Sequence, residues 1–194
     1  MDLKNRSGRW GSVSQLLHWA ILALLVWIAW LGLGMVDMPN TPAKIGSYAL
    51  HKSLGLTLLA LVAARLAWRL YAGAPAPVTG TPSWQARIAS LTHVALYGLL
   101  FAIPLSGWLF NSASGYPLQW FKRFNLPALS GRDQGLAEVA GALHQYGFWV
   151  LVALVALHAA AALYHHVVQR DDTLTRMLPA LPRRTETAPS ESES

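Results

Sequence analysis

The sequence predicts an all-α fold, an integral membrane four-helix bundle with both termini cytoplasmic. Three observations carry this. Of 194 residues, 54% are hydrophobic and only 12% charged, where soluble domains carry roughly 25% charged residues. Four apolar runs each reach the length of about 20 residues that a helix needs to cross a hydrocarbon core roughly 30 Å thick. The basic residues stand in short segments flanking those runs, as membrane topology demands, rather than along one polar face.

The first helix is expected over residues 15–35, within "SQLLHWAILALLVWIAWLGLGM". It follows a short basic segment, as a signal peptide would, but no small-residue cleavage pattern follows and three more apolar runs do. "VDMPNTPAK" then supplies Asn and Pro turn signals before a second helix over 46–70, and the Pro/Gly-rich "YAGAPAPVTGTPSW" leads to a third over 91–110. The third connection, 111–141, is the longest and holds Trp120, Lys122, Arg123, Arg132 and Asp133; long loops carry function more often than tight turns do. The fourth helix is expected over 143–168. Residues 1–180 thus form one membrane domain, and 181–194, with "RRTETAPSESES", form a polar tail expected to be disordered.

Lys4, Arg6, Arg9, Arg65, Arg69, Arg87, Arg170, Arg176, Arg183 and Arg184 fall on one side of that topology. Lys44, Lys52, Lys122, Arg123 and Arg132 fall on the other, so the termini side is assigned to the cytoplasm. The formal charge of +6 therefore reads as topology, and no nucleic-acid partner is expected. Trp10, Trp19, Trp68, Tyr71, Trp84 and Tyr164 lie near helix ends, as an interfacial aromatic belt would place them.

There is no cysteine, which removes thiolate metal sites, iron–sulfur clusters and covalent haem attachment. The chemistry falls to seven histidines. His144 and His158 open and close "HQYGFWVLVALVALH"; a helix turning about 100° per residue puts fourteen-residue neighbours on one face, some 21 Å apart in depth. His51 lies near the outer start of the second helix and His18 near the cytoplasmic start of the first. Matching depths pairs His51 with His144 and His18 with His158. Neutral imidazole is expensive in a membrane unless partnered, and each ring can offer one nitrogen to a metal. Two opposed imidazoles suit the axial positions of an iron porphyrin, which without cysteine would be non-covalent haem b. Gly55, Gly147 and Ala162, three or four residues past the ligands, would let a flat macrocycle approach the backbone, although small residues also serve plain helix contact.

The stretches "SQLLHWAILALLVWIAW", "LHKSLGLTLLALVAARLAWRL", "LTHVALYGLLFAIPLSGW" and "LHQYGFWVLVALVALHAAAALYHH", followed by "DDTLTRMLP", resemble the bacterial cytochrome b561 family. More distantly they are similar to the cytochrome b subunits of formate dehydrogenases and nickel-iron hydrogenases. The resemblance covers residues 9–179. It implies a dihaem cytochrome in the bacterial inner membrane, with ligands from the first, second and twice from the fourth helix: His18, His51, His144 and His158. It also implies electron exchange with the quinone pool, ubiquinone being the candidate, and with a donor or acceptor such as a small periplasmic redox protein. In a narrower enzymatic version, superoxide oxidase, the outer face collects superoxide and the electron goes to ubiquinone.

Other residues have secondary expectations. His93, near the cytoplasmic start of the third helix, either packs beside the inner haem, bonds a propionate or competes with His18. His165 and His166 are expected in a solvated or propionate-binding role. Arg65 or Arg69 could neutralise propionates of the inner haem, since guanidinium forks fit carboxylates. Lys52, adjacent to His51, is a further candidate for a propionate or secondary contact, and with Lys122, Arg123 and Arg132 it forms an outward basic group that would attract an anionic partner. A haem-free zinc or proton carrier is the alternative class; the helices lack the buried carboxylates such paths carry. An anchoring subunit of a larger dehydrogenase, or a homodimer, would keep the haems and change the partner.

Overall fold

In the computed structural model, residues 3–6, 8–78 and 80–179 are described. The chain forms α1 (Ser12–Val36), α2 (Pro42–Ala72), α3 (Ser83–Ala113), a two-stranded antiparallel hairpin β1 (Leu118–Trp120) and β2 (Phe124–Leu126), and α4 (Gln134–Tyr164). A π turn, His165–Gln169, and a 3-10 turn, Thr175–Met177, follow. The four helices are each long and apolar enough to cross a membrane. The expected tail from Arg183 onward lies outside the described residues.

Helix limits follow local chemistry rather than the apolar span. α2 opens on Pro42, whose missing N–H costs nothing in a first turn, and stops at Gly73, where φ is 72°. α3 starts at Ser83 rather than near 91, because no breaker follows Pro82 and backbone hydrogen bonding needs no apolar side chains to propagate. α4 starts at Gln134 rather than near 143, since Asp133 caps it by accepting from the Leu136 N–H at 3.0 Å. The 31 residues of α2 correspond to about 46 Å of helix, more than the hydrocarbon thickness.

α1 packs along α2 and α3 along α4, with α2 also against α3, while α1 and α4 share no extended contact. Ile21 and Ile28 of α1 interlock with Leu54, Leu58 and Val62 of α2, and Tyr97, Leu100 and Phe101 of α3 close over them. Large apolar side chains such as Trp30, Leu70 and Val94 stay exposed. In lipid they face hydrocarbon, while the helices satisfy their own backbone groups.

The two ends of the bundle are closed differently. At one end the loop after α3 is not irregular throughout: Leu118 pairs with Leu126 and Trp120 with Phe124. The tight turn between them forces Phe121 and Lys122 to φ of 47° and 58°. Trp120 Nε1 donates to Thr57 Oγ1 at 3.0 Å and the Phe121 N–H to Ser53 Oγ at 2.9 Å, which hangs this hairpin on α2. At the other end, where the described residues begin and end, Arg170 at φ 55° stops the π turn. His165 Nδ1 meets Asp171 Oδ2 at 2.6 Å. Trp19 Nε1 donates to the Met177 carbonyl at 3.0 Å and Gln15 Nε2 to that of Arg176 at 3.2 Å, binding residues 171–178 across the start of α1.

Candidate haem-binding histidine pairs

Four of the predicted site residues come together as two pairs. At the hairpin end the rings of His51, from α2, and His144, from α4, have centroids 6.1 Å apart and planes at 77°. At the terminal end His18, from α1, and His158, again from α4, are 6.3 Å apart at 73°. Metal–imidazole bonds of about 2.0 Å, plus roughly 1.1 Å from ring nitrogen to ring centre, put two collinear axial imidazoles about 6.2 Å apart. Both separations match. Among the described residues no three His, Cys, Asp or Glu side chains gather as a bare metal ion would require. A pair alone suffices only where a macrocycle supplies the remaining ligands, so the residues present fit haem.

One ring of the hairpin-end pair is held by backbone. His144 Nδ1 lies 2.8 Å from the Ile103 carbonyl of α3. A carbonyl only accepts, so Nδ1 carries the proton and Nε2 keeps its lone pair for a metal. The His51 ring lies by the Ile28 carbonyl of α1, and its buried Nδ1 has no hydrogen-bond partner. One turn after each of these carbonyls stands a glycine. A Cβ on Gly107 would sit 3.0 Å from His144 Cε1 and Nδ1, and one on Gly32 would sit 3.0 Å from His51 Cε1. These two glycines give the imidazoles their seats, and Gly55, expected to leave room for a macrocycle, lines the cavity beside them. Gly55 faces open space and Gly147 packs against Ile103 Cγ1, where a Cβ would come within 3.2 Å. Gly107→Ala is expected to weaken haem retention at the hairpin end about ten-fold, the lower range for disturbing the support of a metal ligand. Spectrophotometric haem titration measures it, and the terminal-end site should be unaffected.

A cavity of about 590 Å³ opens beside this pair, lined by His51, His144, Lys52 and Asn111 among mainly apolar side chains. Sequence reasoning missed Asn111, whose signal was a polar residue in the last turn of an apolar helix. Lys52 belongs to this cavity, donating to Asn111 Oδ1 at 3.0 Å. The rest of the outward basic group is placed differently: Lys122 and Arg123 belong to the hairpin turn, and the Arg132 stem passes beside Gly115.

At the terminal end a third imidazole joins. His93, on α3, has its ring centroid 5.3 Å from that of His158. The two rings meet edge to face, at 68°. Arg65 donates to the Ser14 carbonyl at 2.8 Å, and its charge acts on both His18 and His158. Arg69 stacks over Trp10, with its guanidinium carbon 5.6 Å from the ring centre. His165 is committed to Asp171.

The comparisons with known proteins bear on this arrangement. A sequence model described as prokaryotic cytochrome b561 matches residues 9–180, from before α1 to past the 3-10 turn. The chain belongs to the prokaryotic cytochrome b561 family. It is 36% identical over 179 residues to cytochrome b561 homolog 2 of Escherichia coli K12, covering 92% of this chain and 95% of that one. It is 31% identical over 164 residues to the probable superoxide oxidase CybB of Yersinia pestis, covering 84% and 92% respectively. As a cytochrome b561 the protein is a multi-pass membrane electron-transfer haemoprotein.

Proposed function

We propose that this cytochrome b561 holds two non-covalent b haems, one between His51 and His144 and one between His18 and His158. It would carry electrons across the bacterial inner membrane between the quinone pool and a partner at the opposite face. The observation that supports this most is the pair of ring separations, 6.1 and 6.3 Å, at two levels of a single helix. Haem held there by these histidines would supply one-electron ferric/ferrous chemistry. The chain does the rest. Ile103 fixes the His144 tautomer, Gly32 and Gly107 let the rings lie against neighbouring helices, and the apolar helix faces keep water from the path. Arg65, within electrostatic reach of His18 and His158, offsets negative charge at the terminal end. The bias of arginines toward that end supports placing it in the cytoplasm.

A second reading is favoured by the likeness to the probable superoxide oxidase and by Lys52, Lys122, Arg123 and Arg132 near the hairpin end. There, two superoxide anions would each give up one electron and leave as dioxygen, while one ubiquinone takes both electrons and two protons to become ubiquinol. Rapid mixing of the oxidised protein with ubiquinol or with superoxide, followed at the haem absorbance, separates the readings. Reduction by quinol with a slow superoxide reaction supports the carrier. Faster reduction by superoxide, with ubiquinol accumulating when ubiquinone is added, supports the oxidase. Inertness to both would overturn quinone-linked transfer.

A further inference from the structure

The ammonium of Lys52 stands in the cavity wall beside the His51–His144 pair without a counter-charge. Its Nζ donates to Asn111 Oδ1 at 3.0 Å, which occupies one of three donors. Among the described residues no carboxylate lies within ion-pair distance of it. Asn111 itself is 5% exposed, with a partner at each end of its side-chain amide. Its Nδ2 donates to the Tyr116 carbonyl at 2.8 Å, and its own carbonyl accepts from the Tyr116 N–H at 3.1 Å. The amide cannot be reversed, because that would set an NH₂ against the ammonium and an oxygen against a carbonyl. Asn111 is therefore a fixed acceptor that holds Lys52 at the cavity wall instead of letting it extend to water.

A positive charge at an apolar wall is costly unless an anion completes it. The cavity, about 590 Å³ and bounded by two imidazoles, is far larger than a small free anion needs. The large, flat group that suits those imidazoles carries carboxylates on its rim. We infer that Lys52, positioned by Asn111, binds a carboxylate of the porphyrin between His51 and His144, and so sets how that macrocycle is turned about its axial ligands. The inference rests on the two-haem reading proposed above and adds a specific recognition contact at one of its sites.

The test uses the full-length chain carrying His18→Ala, so that only the hairpin-end pair can load. The haem-free protein is titrated with haemin and, separately, with haemin dimethyl ester, in which both carboxylates are blocked, and the low-spin bis-imidazole spectrum is followed. Lys52→Met is expected to weaken haemin binding about ten-fold, as loss of a charge-assisted contact would. Asn111→Leu should weaken it several-fold, Lys52→Arg should recover most of the loss, and ester binding should not change in any variant. Unchanged haemin affinity in Lys52→Met overturns the inference, as does equal weakening of haemin and ester. If the parent protein binds neither pigment, the two-haem reading falls and this inference with it. Normal haemin binding that ignores Lys52 removes only the inference.

Discussion

His144→Ala and His51→Ala are each expected to lower haem content from two per chain to one, and both should lose the same haem. Each imidazole reaches the hairpin-end site from a different helix, and removing either takes away half of the protein's bonding to the iron there. The residual spectrum should therefore be identical in the two variants and in the double variant. Different residual spectra from the two single variants would break the pairing. The fold should survive either change, since neither ring belongs to the apolar cluster of Ile21, Ile28, Leu54, Leu58 and Val62 that joins α1 to α2.

At the terminal end the discriminating comparison involves His93. His18→Ala and His158→Ala are expected to remove the second haem, leaving one per chain. His93→Ala should keep two and shift only the spectrum or potential of the terminal-end haem. The reason is geometric: the centroids of His18 and His158 are 6.3 Å apart, close to the separation of two axial imidazoles, while those of His93 and His158 are 5.3 Å apart. Haem quantification on the three purified variants checks this. Retention of both haems in His18→Ala with loss of one in His93→Ala would exchange the roles of the two residues.

The four spans were legible because hydropathy over about 20 residues is a strong signal, and the histidine levels because imidazoles are scarce in such helices and helical rise converts spacing into depth. What the sequence did not disclose depends on contacts between residues distant along the chain. Nothing local marks Gly32 and Gly107 as seats for His51 and His144, because those contacts join residues far apart in the chain. Lys52 was legible as a candidate beside His51, but its hydrogen bond to Asn111, 59 residues away, was not. The hairpin of residues 118–126 was hidden by its short strands, and only its anchorage on Ser53 and Thr57 shows why it forms. The early starts of α3 and α4 escaped a reading keyed to apolar length.

The central claim is that two histidine pairs make two b-type haem sites on one chain. A pyridine haemochrome assay on purified full-length protein, with protein determined by amino-acid analysis, tests it most directly. The account predicts haem b alone, at two per chain. A value of one per chain in protein supplied with excess haem, or a colourless protein, would contradict it.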